Sequence, residues 1–436
     1  MSGMTEFINN YFKIKERNSS IKTEFLGGLL NFITIMYILV VNPSLFAHAG
    51  MDFGGVYLAT IGAIVIGCLY MGAVSNYPII IAPGLGINAY VVYTIIEAMG
   101  YSWQSALGCC FVASAIFLLL SMTSFREQLI NSIPECLKVG ITSGIGLFIA
   151  FIGLKNGSLV IANAGTYVAI GDMATPATAL TAVGVILTLV LTILRVPAAM
   201  LLSMLILTII AYLAGMLQMP EHFFALPTGI DTTVGGLELS QVPDMIPIVL
   251  VILLVTMFDT TGTMIGLAKQ AHLMKGGVFP NLRGALMADA FASFWGTLLG
   301  TGPSSSFVES SAGIMSGSRT GLTAVVTGLL FIFMIFLFPI AQAMAAVPSI
   351  TAPILIIAGI HMFNEIRTLE WDKERIMFPA VLTCVMMPLT YSITNGVAVG
   401  IISYVILNLA ARKREDIHPL LYLFAIWFLL DFLKII

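Results

Sequence analysis

The chain has 436 residues, of which 58% are hydrophobic and only 9% charged, with a mean hydropathy of +1.00. Soluble domains carry roughly 25% charged residues, so lipid rather than water is the solvent for most of this sequence. A net charge of -3 and a pI near 6.0 offer no basic face and exclude nucleic acid as a partner.

A membrane-crossing helix needs about 20 apolar residues. Lys13, Lys15, Arg17 and Lys22 precede a first hydrophobic run without a small-residue cleavage site, which predicts a retained span rather than a signal peptide. No Asp, Glu, Lys or Arg occurs from Phe25 to Met51, Phe53 to Ile96, Ala98 to Phe125, or Thr320 to Asn364. Breaking the apolar runs at polar or Gly/Pro turns predicts spans at 24-46, 55-75, 83-98, 102-124, 138-156, 176-193, 198-217, 245-268, 282-299, 307-318, 319-341, 350-366, 376-393 and 395-411. The fold class is therefore an all-α membrane protein of about fourteen segments, with a further apolar helix at 418-434. With the N-terminus in the cytoplasm and the sides alternating, every Lys and Arg falls on the cytoplasmic side except Lys155, outside, and Lys434, undecided. That bias is the positive-inside rule. It places Arg126, Lys275 and Arg412 inside and the 218-244 loop, with Glu221, Asp231, Glu238 and Asp244, outside. Cys68, Cys109, Cys110, Cys136 and Cys384 lack C-x-x-C spacing and read as packing residues.

Two segments are too short to span, and each follows an irregular stretch: Tyr77 to Pro83 before 83-98, and Gly300 to Ser306 before 307-318. Each is predicted as a short extended piece leading into a half-helix. They lie about 220 residues apart, as do the first and eighth spans, so the chain reads as two seven-segment halves, inverted because seven is odd. Open backbone groups survive at mid-membrane only where they line a cavity, so these segments are the predicted binding region. Ordinary Pro-kinked helices are the bland alternative.

Ionisable residues inside spans cost about 2.5–3.5 kcal/mol each on insertion scales, which makes each a functional candidate. Asp259 lies well inside the eighth span, Asp289 in the ninth, and Glu309 opens the second half-helix. Ser306-x-x-Glu309 also fits a capping box. A carboxylate beside a half-helix start in a cavity would offer a flat heterocycle both donors and an acceptor; the two readings can coexist. Asp259 could instead be a buried acid bonded to Thr hydroxyls, and Asp289 an ion pair with Arg283 or part of a polar helix seam. In the first half-helix, Gly84 and Gly86 permit close approach of a ligand or of another helix, and the Asn88 amide can both donate and accept. His48, His222, His272 and His418 look peripheral, and His361 reads as a packing or water-facing residue. No metal site, cofactor or enzyme motif is evident: G-x-S-x-G, the Walker lysine motif, H-E-x-x-H and the Rossmann fingerprint are all absent. ATP-driven transport by this chain alone is not expected.

Thr23-Glu24, Pro83-Gly-Leu-Gly-Ile-Asn88-Ala-Tyr90, Gly140-Ile-Thr-Ser-Gly-Ile-Gly-Leu147, Phe258-Asp-Thr-Thr-Gly-Thr263, Val308-Glu-Ser-Ser-Ala-Gly313 and Arg319-Thr-Gly-Leu-Thr323 resemble the AzgA-type purine permeases. These belong to the nucleobase/ascorbate transporter superfamily and share the fold of the uracil permease UraA. The resemblance covers nearly the whole chain. It implies a 7+7 inverted repeat, with a core domain of 24-124 and 245-341, a gate domain of 138-217 and 350-411, and the 418-434 helix outside that scheme. It also implies proton-coupled import of a purine nucleobase (hypoxanthine, guanine or adenine) in a cytoplasmic (inner) membrane, with an elevator-like core movement and the oligomeric state, a homodimer included, left open. Residue by residue, the superfamily's eighth-segment acid falls on Asp259, its tenth-segment acid on Glu309 and its third-segment amide on Asn88. Gly86, Val308, Ser310 and Thr263 complete the implied substrate set. Thr263 stands where uracil permeases carry histidine, so a histidine proton relay is not implied, and Asp259 is the candidate for carrying the coupling proton. An inorganic-anion carrier or channel of the same fold is the alternative.

Overall fold

The computed structural model describes residues 2–123, 133–274 and 279–433. The Arg126, Lys275 and Lys434 expectations lie outside them. The chain is a mostly helical, multi-pass membrane protein. Among the described residues eight helices are long and apolar enough to cross a membrane: Ile21–His48, Phe53–Ser75, Trp103–Ser121, Glu135–Asn156, Pro176–Ile193, Val242–Gln270, Pro348–Thr368 and Ile393–Ala410. Shorter apolar helices run over Leu85–Ala98, Ala199–Leu213, Gly321–Phe336 and Pro419–Phe432, with Leu282–Leu299 and Glu374–Thr390 between them.

Helix starts follow side-chain oxygens that take up an otherwise unpaired backbone N–H. Ser20, Asp52, Ser102, Thr175 and Ser392 each accept from the N–H three residues on. Two boundaries depart from the predicted ones. The first span breaks at Met36 and Tyr37, between Ile21–Ile35 and Ile38–His48, with Pro43 inside the second piece. The run predicted at 319-341 stops at Leu337 and resumes as Phe338–Ala345, with Pro339 in its first turn, where the missing N–H costs nothing. Elements not predicted include an N-terminal helix, Ser2–Phe12, a short helix in the 218-244 loop, Ile230–Thr233, and a hairpin pairing Val160–Asn163 with Tyr167–Ile170. The Asn163 side chain accepts from the N–H of Gly165 and Thr166 and closes that turn.

Ile21–Ile35, Phe53–Tyr70, Trp103–Ser121, Leu282–Leu299 and Gly321–Phe333 pack among themselves, as do Glu135–Asn156, Pro348–Phe363, Glu374–Thr390 and Ile393–Ala410. Within the first set a buried acid joins the two halves of the chain. Glu24 accepts from the N–H of Arg319 (2.8 Å) and Thr320 (3.1 Å) and from the Thr323 hydroxyl (2.6 Å). A carboxylate at these unpaired N–H groups is the favoured partner of a helix start, which gives the Thr23-Glu24 and Arg319–Thr323 motifs a structural role. All five cysteines are free and buried.

Candidate functional site

The two predicted extended pieces meet. Ile81–Pro83 pairs antiparallel with Ser304–Ser306, in the register Ile81 with Ser306, Ala82 with Ser305 and Pro83 with Ser304, and all six residues are buried. Bare backbone groups are too costly at such a depth. The pair satisfies them, and it is extended at both ends by Gly84 N–H to Pro303 carbonyl (2.9 Å) and Phe307 N–H to Ile80 carbonyl (3.1 Å). From this clasp Leu85–Ala98 leaves as one half-helix. A single turn, Val308–Ser310, and a five-residue helix, Ser311–Met315, leave as the other.

Glu309 lies in that turn, half-buried. Its Oε1 accepts from the Tyr37 hydroxyl at 2.6 Å, and Tyr37 stands at the break of the first span, fully buried. The expected capping box does not form. Ser306 Oγ donates instead to the Thr260 carbonyl at 3.2 Å, and Phe307, not Ser306, precedes the turn. Strand pairing faces Ser306 toward the Asp259 helix and away from the turn, which frees the Glu309 carboxylate from backbone duty.

Asp259 lies in Ile246–Gln270, half-buried, with the Ser305 hydroxyl as its hydrogen-bond partner. The strand Ser304–Ser306 thus touches one acid through Ser305 and leads directly into the turn that carries the other. Thr263, one turn on, is half-exposed, and Gly262 is exposed with nothing within 4 Å of where a Cβ would sit. Val308 is 61% exposed. Glu309, Val308, Asp259 and Thr263 therefore belong to two elements in contact and keep some surface free. They offer two carboxylates as acceptors beside an apolar side chain.

The other predicted residues are engaged within the fold, although the buried Asn88 Oδ1 has no hydrogen-bond partner among the described residues. Asn88 is fully buried; its Nδ2 donates to Asn42 Oδ1 (2.7 Å), and Asn42 Nδ2 donates to the hydroxyls of Thr60 and Thr301 (2.9 Å each). The Asn88 Oδ1 lies against Gly302, where any Cβ would sit 1.9 Å away. Gly86 packs on the Glu135–Asn156 helix: a Cβ there would stand 2.5 Å from Ile145 Cγ2. Ser310 accepts from Ile80 N–H (2.9 Å) and donates to the Phe307 carbonyl (2.6 Å), tying the turn to the opposite strand. Asp289, fully buried, accepts from the Thr260 hydroxyl at 2.6 Å, which is the polar helix seam, while Arg283 donates to the Met122 carbonyl.

The comparisons with known proteins agree on what kind of molecule this is. A family model described as a permease family matches residues 22–399. The chain belongs to this permease family. It is 42% identical over 427 residues to the guanine/hypoxanthine permease PbuO of Bacillus subtilis, covering 96% of this chain and 99% of that protein. It is 38% identical to the guanine/hypoxanthine permease PbuG of the same organism, covering 98% and 99%. It is 35% identical to the adenine permease AdeP of Escherichia coli, covering 98% and 96%. Among solved structures, the transmembrane domain of the cyanobacterial bicarbonate transporter BicA superposes with a TM-score of 0.61 at 16% identity, covering 90% of this chain and 97% of that one. The murine anion transporter Slc26a9 gives 0.65 at 12%, covering 93% and 72%. At such identities these last two show a shared fold.

Sequence reading missed Tyr37 in this permease. One signal was available: a tyrosine in the middle of an apolar span needs a partner for its hydroxyl. The partner lies 272 residues away in sequence, so only the fold reveals it.

Proposed function

We propose that this permease is a secondary active transporter that imports purine nucleobases (hypoxanthine, guanine or adenine) by proton symport. The observation that carries the reading is Glu309: a half-buried carboxylate, held on one oxygen by Tyr37 and flanked by exposed Val308. A neutral purine presents N–H donors on its edge, and each one left unmet in a dry site costs about 1–3 kcal/mol. A fixed carboxylate meets them with charge-assisted bonds. The relatives matched over nearly their whole length, two guanine/hypoxanthine permeases and an adenine permease, point to the same substrate class. The anion alternative fits less well: among the described residues neither Glu309 nor Asp259 pairs with a Lys or Arg, and two carboxylates repel an anion.

Asp259, on an unbroken helix, carries the coupling proton in this scheme. Fourteen segments in two inverted halves of seven are the architecture we propose, with the N-terminus in the cytoplasm. The core is 24-124 and 245-341, the gate 138-217 and 350-411, and the core slides as a unit; the two packing sets of helices support this division. At the outer ends the first half-helix is tied to the gate by Tyr90 and Thr394 (2.5 Å), Thr94 and the Tyr391 carbonyl (3.0 Å), and Asn156 and Tyr93 (2.6 Å). In this scheme these ties hold the outer ends of the two domains together.

Uptake of radiolabelled hypoxanthine by cells expressing the chain, challenged with adenine, guanine, xanthine, uracil and sulfate, tests the substrate class. Purines should compete, while uracil and sulfate should not; competition by sulfate alone would favour the anion carrier. For the coupling role, Asp259→Asn should lose accumulation against a gradient yet keep exchange of base across proteoliposomes at equilibrium. Undiminished accumulation would reassign the proton.

A further inference from the structure

A cavity of about 450 Å³ opens between the two packing sets at their outer ends, within the roughly 300–1,000 Å³ of small-molecule sites. Val41, Ser44, His48 and Tyr93 line it from one side, Asn156 and Thr351 from the other. Among the described residues no Asp, Glu, Lys or Arg lines it. Its polar groups are neutral amides and hydroxyls plus one imidazole, and that imidazole also reaches Glu97 outside the cavity at 2.9 Å. Tyr93 and Phe53 add ring surface. Uncharged donors and acceptors beside aromatic rings suit an uncharged planar heterocycle, and Lys155, over the Tyr93 ring, is paired with Glu97 (3.9 Å) and does not line the cavity.

Its position ties it to the Glu309 site. Tyr37, Val41, Ser44 and His48 follow one another at helical spacing along the same face of the first span. Val41 therefore stands one turn, about 6 Å, beyond the tyrosine that holds Glu309. The Asn156 to Tyr93 hydrogen bond (2.6 Å) that ties the first half-helix to the gate is made by two residues of the cavity wall. A base resting there would compete for the bond that closes the outer side.

We propose that this cavity is a second, outer site that takes the same neutral purine before it passes to Glu309. The inference rests on the purine reading above. Ala346 lines the cavity and is exposed, and the native cysteines are buried, so Ala346→Cys in the full chain gives a single accessible reporter. A membrane-impermeant thiol reagent added outside should label it. Hypoxanthine at roughly ten times its apparent Kd should slow that labelling about tenfold by occupancy, equally in an added Glu309→Gln background, while sulfate should have no effect. Protection that disappears with Glu309→Gln would show that labelling reports domain movement driven from the central site, and overturns the proposal. So does a failure of hypoxanthine to protect in a variant that still takes it up. Should Ala346→Cys fold poorly, Ser44→Cys, which lines the same cavity, reports with the same expectations. A wild-type chain that takes up no purine at all would remove the substrate reading itself, and the outer site with it.

Discussion

The two strand-plus-helix segments are built alike as far as the strand and then diverge. The first continues into Leu85–Ala98, buried at every residue from Leu85 to Ile95, and its polar side chain, Asn88, is bound into a network with Asn42, Thr60 and Thr301. The second makes one tight turn and a five-residue helix, leaving Val308 61% exposed and Glu309 half-buried. In the proposed scheme the two segments do different work: the first half-helix holds the structure and the second presents the ligand-facing acid.

This contrast can be broken by substitution. The largest binding effect is expected from Glu309→Gln. Hydrogen bonds to a charged group contribute about 1.5–3 kcal/mol, so the hypoxanthine Kd should rise about 10- to 150-fold. Gly86→Val should act on stability instead. A Cβ already meets Ile145 at 2.5 Å, and overpacking costs about 1–3 kcal/mol; thermal unfolding in detergent should show a lower Tm. Tyr37→Phe should be the mildest. It removes the hydroxyl that orients one Glu309 oxygen but leaves the carboxylate that meets the ligand, so hypoxanthine binding titrations should show a Kd raised only about 2- to 10-fold, roughly 0.5–1.5 kcal/mol. An unchanged Kd in that variant would mean the tyrosine does not position the acid.

Where the sequence was legible, local chemistry was the reason. Asp259 and Glu309 stand out because an acid in an apolar run is costly, and the extended pieces stand out because Pro, Gly and Ser interrupt helix. What stayed hidden depended on partners remote in sequence. Tyr37 looks like any aromatic in a span until the fold brings it to Glu309. Asn88 has the right chemistry for a ligand, but its Nδ2 donates to Asn42 and its Oδ1 lies against Gly302. Ser306 and Glu309 have capping-box spacing, yet pairing with Ile81 aims the serine at Thr260. The hairpin at Val160–Ile170 carried a turn signal in Asn163 and Gly165, and apolar length masked it.

The division between the half-helices is tested most directly by measuring hypoxanthine Kd and Tm on purified Asn88→Ala beside Glu309→Gln. Asn88→Ala leaves the Asn42 acceptor buried and unmet, a cost of about 1–3 kcal/mol, so the account predicts a lower Tm with a Kd near wild type. Glu309→Gln should show the reverse, a weakened Kd with Tm retained. A Kd lost in Asn88→Ala at unchanged Tm, with Glu309→Gln binding as wild type, would contradict it.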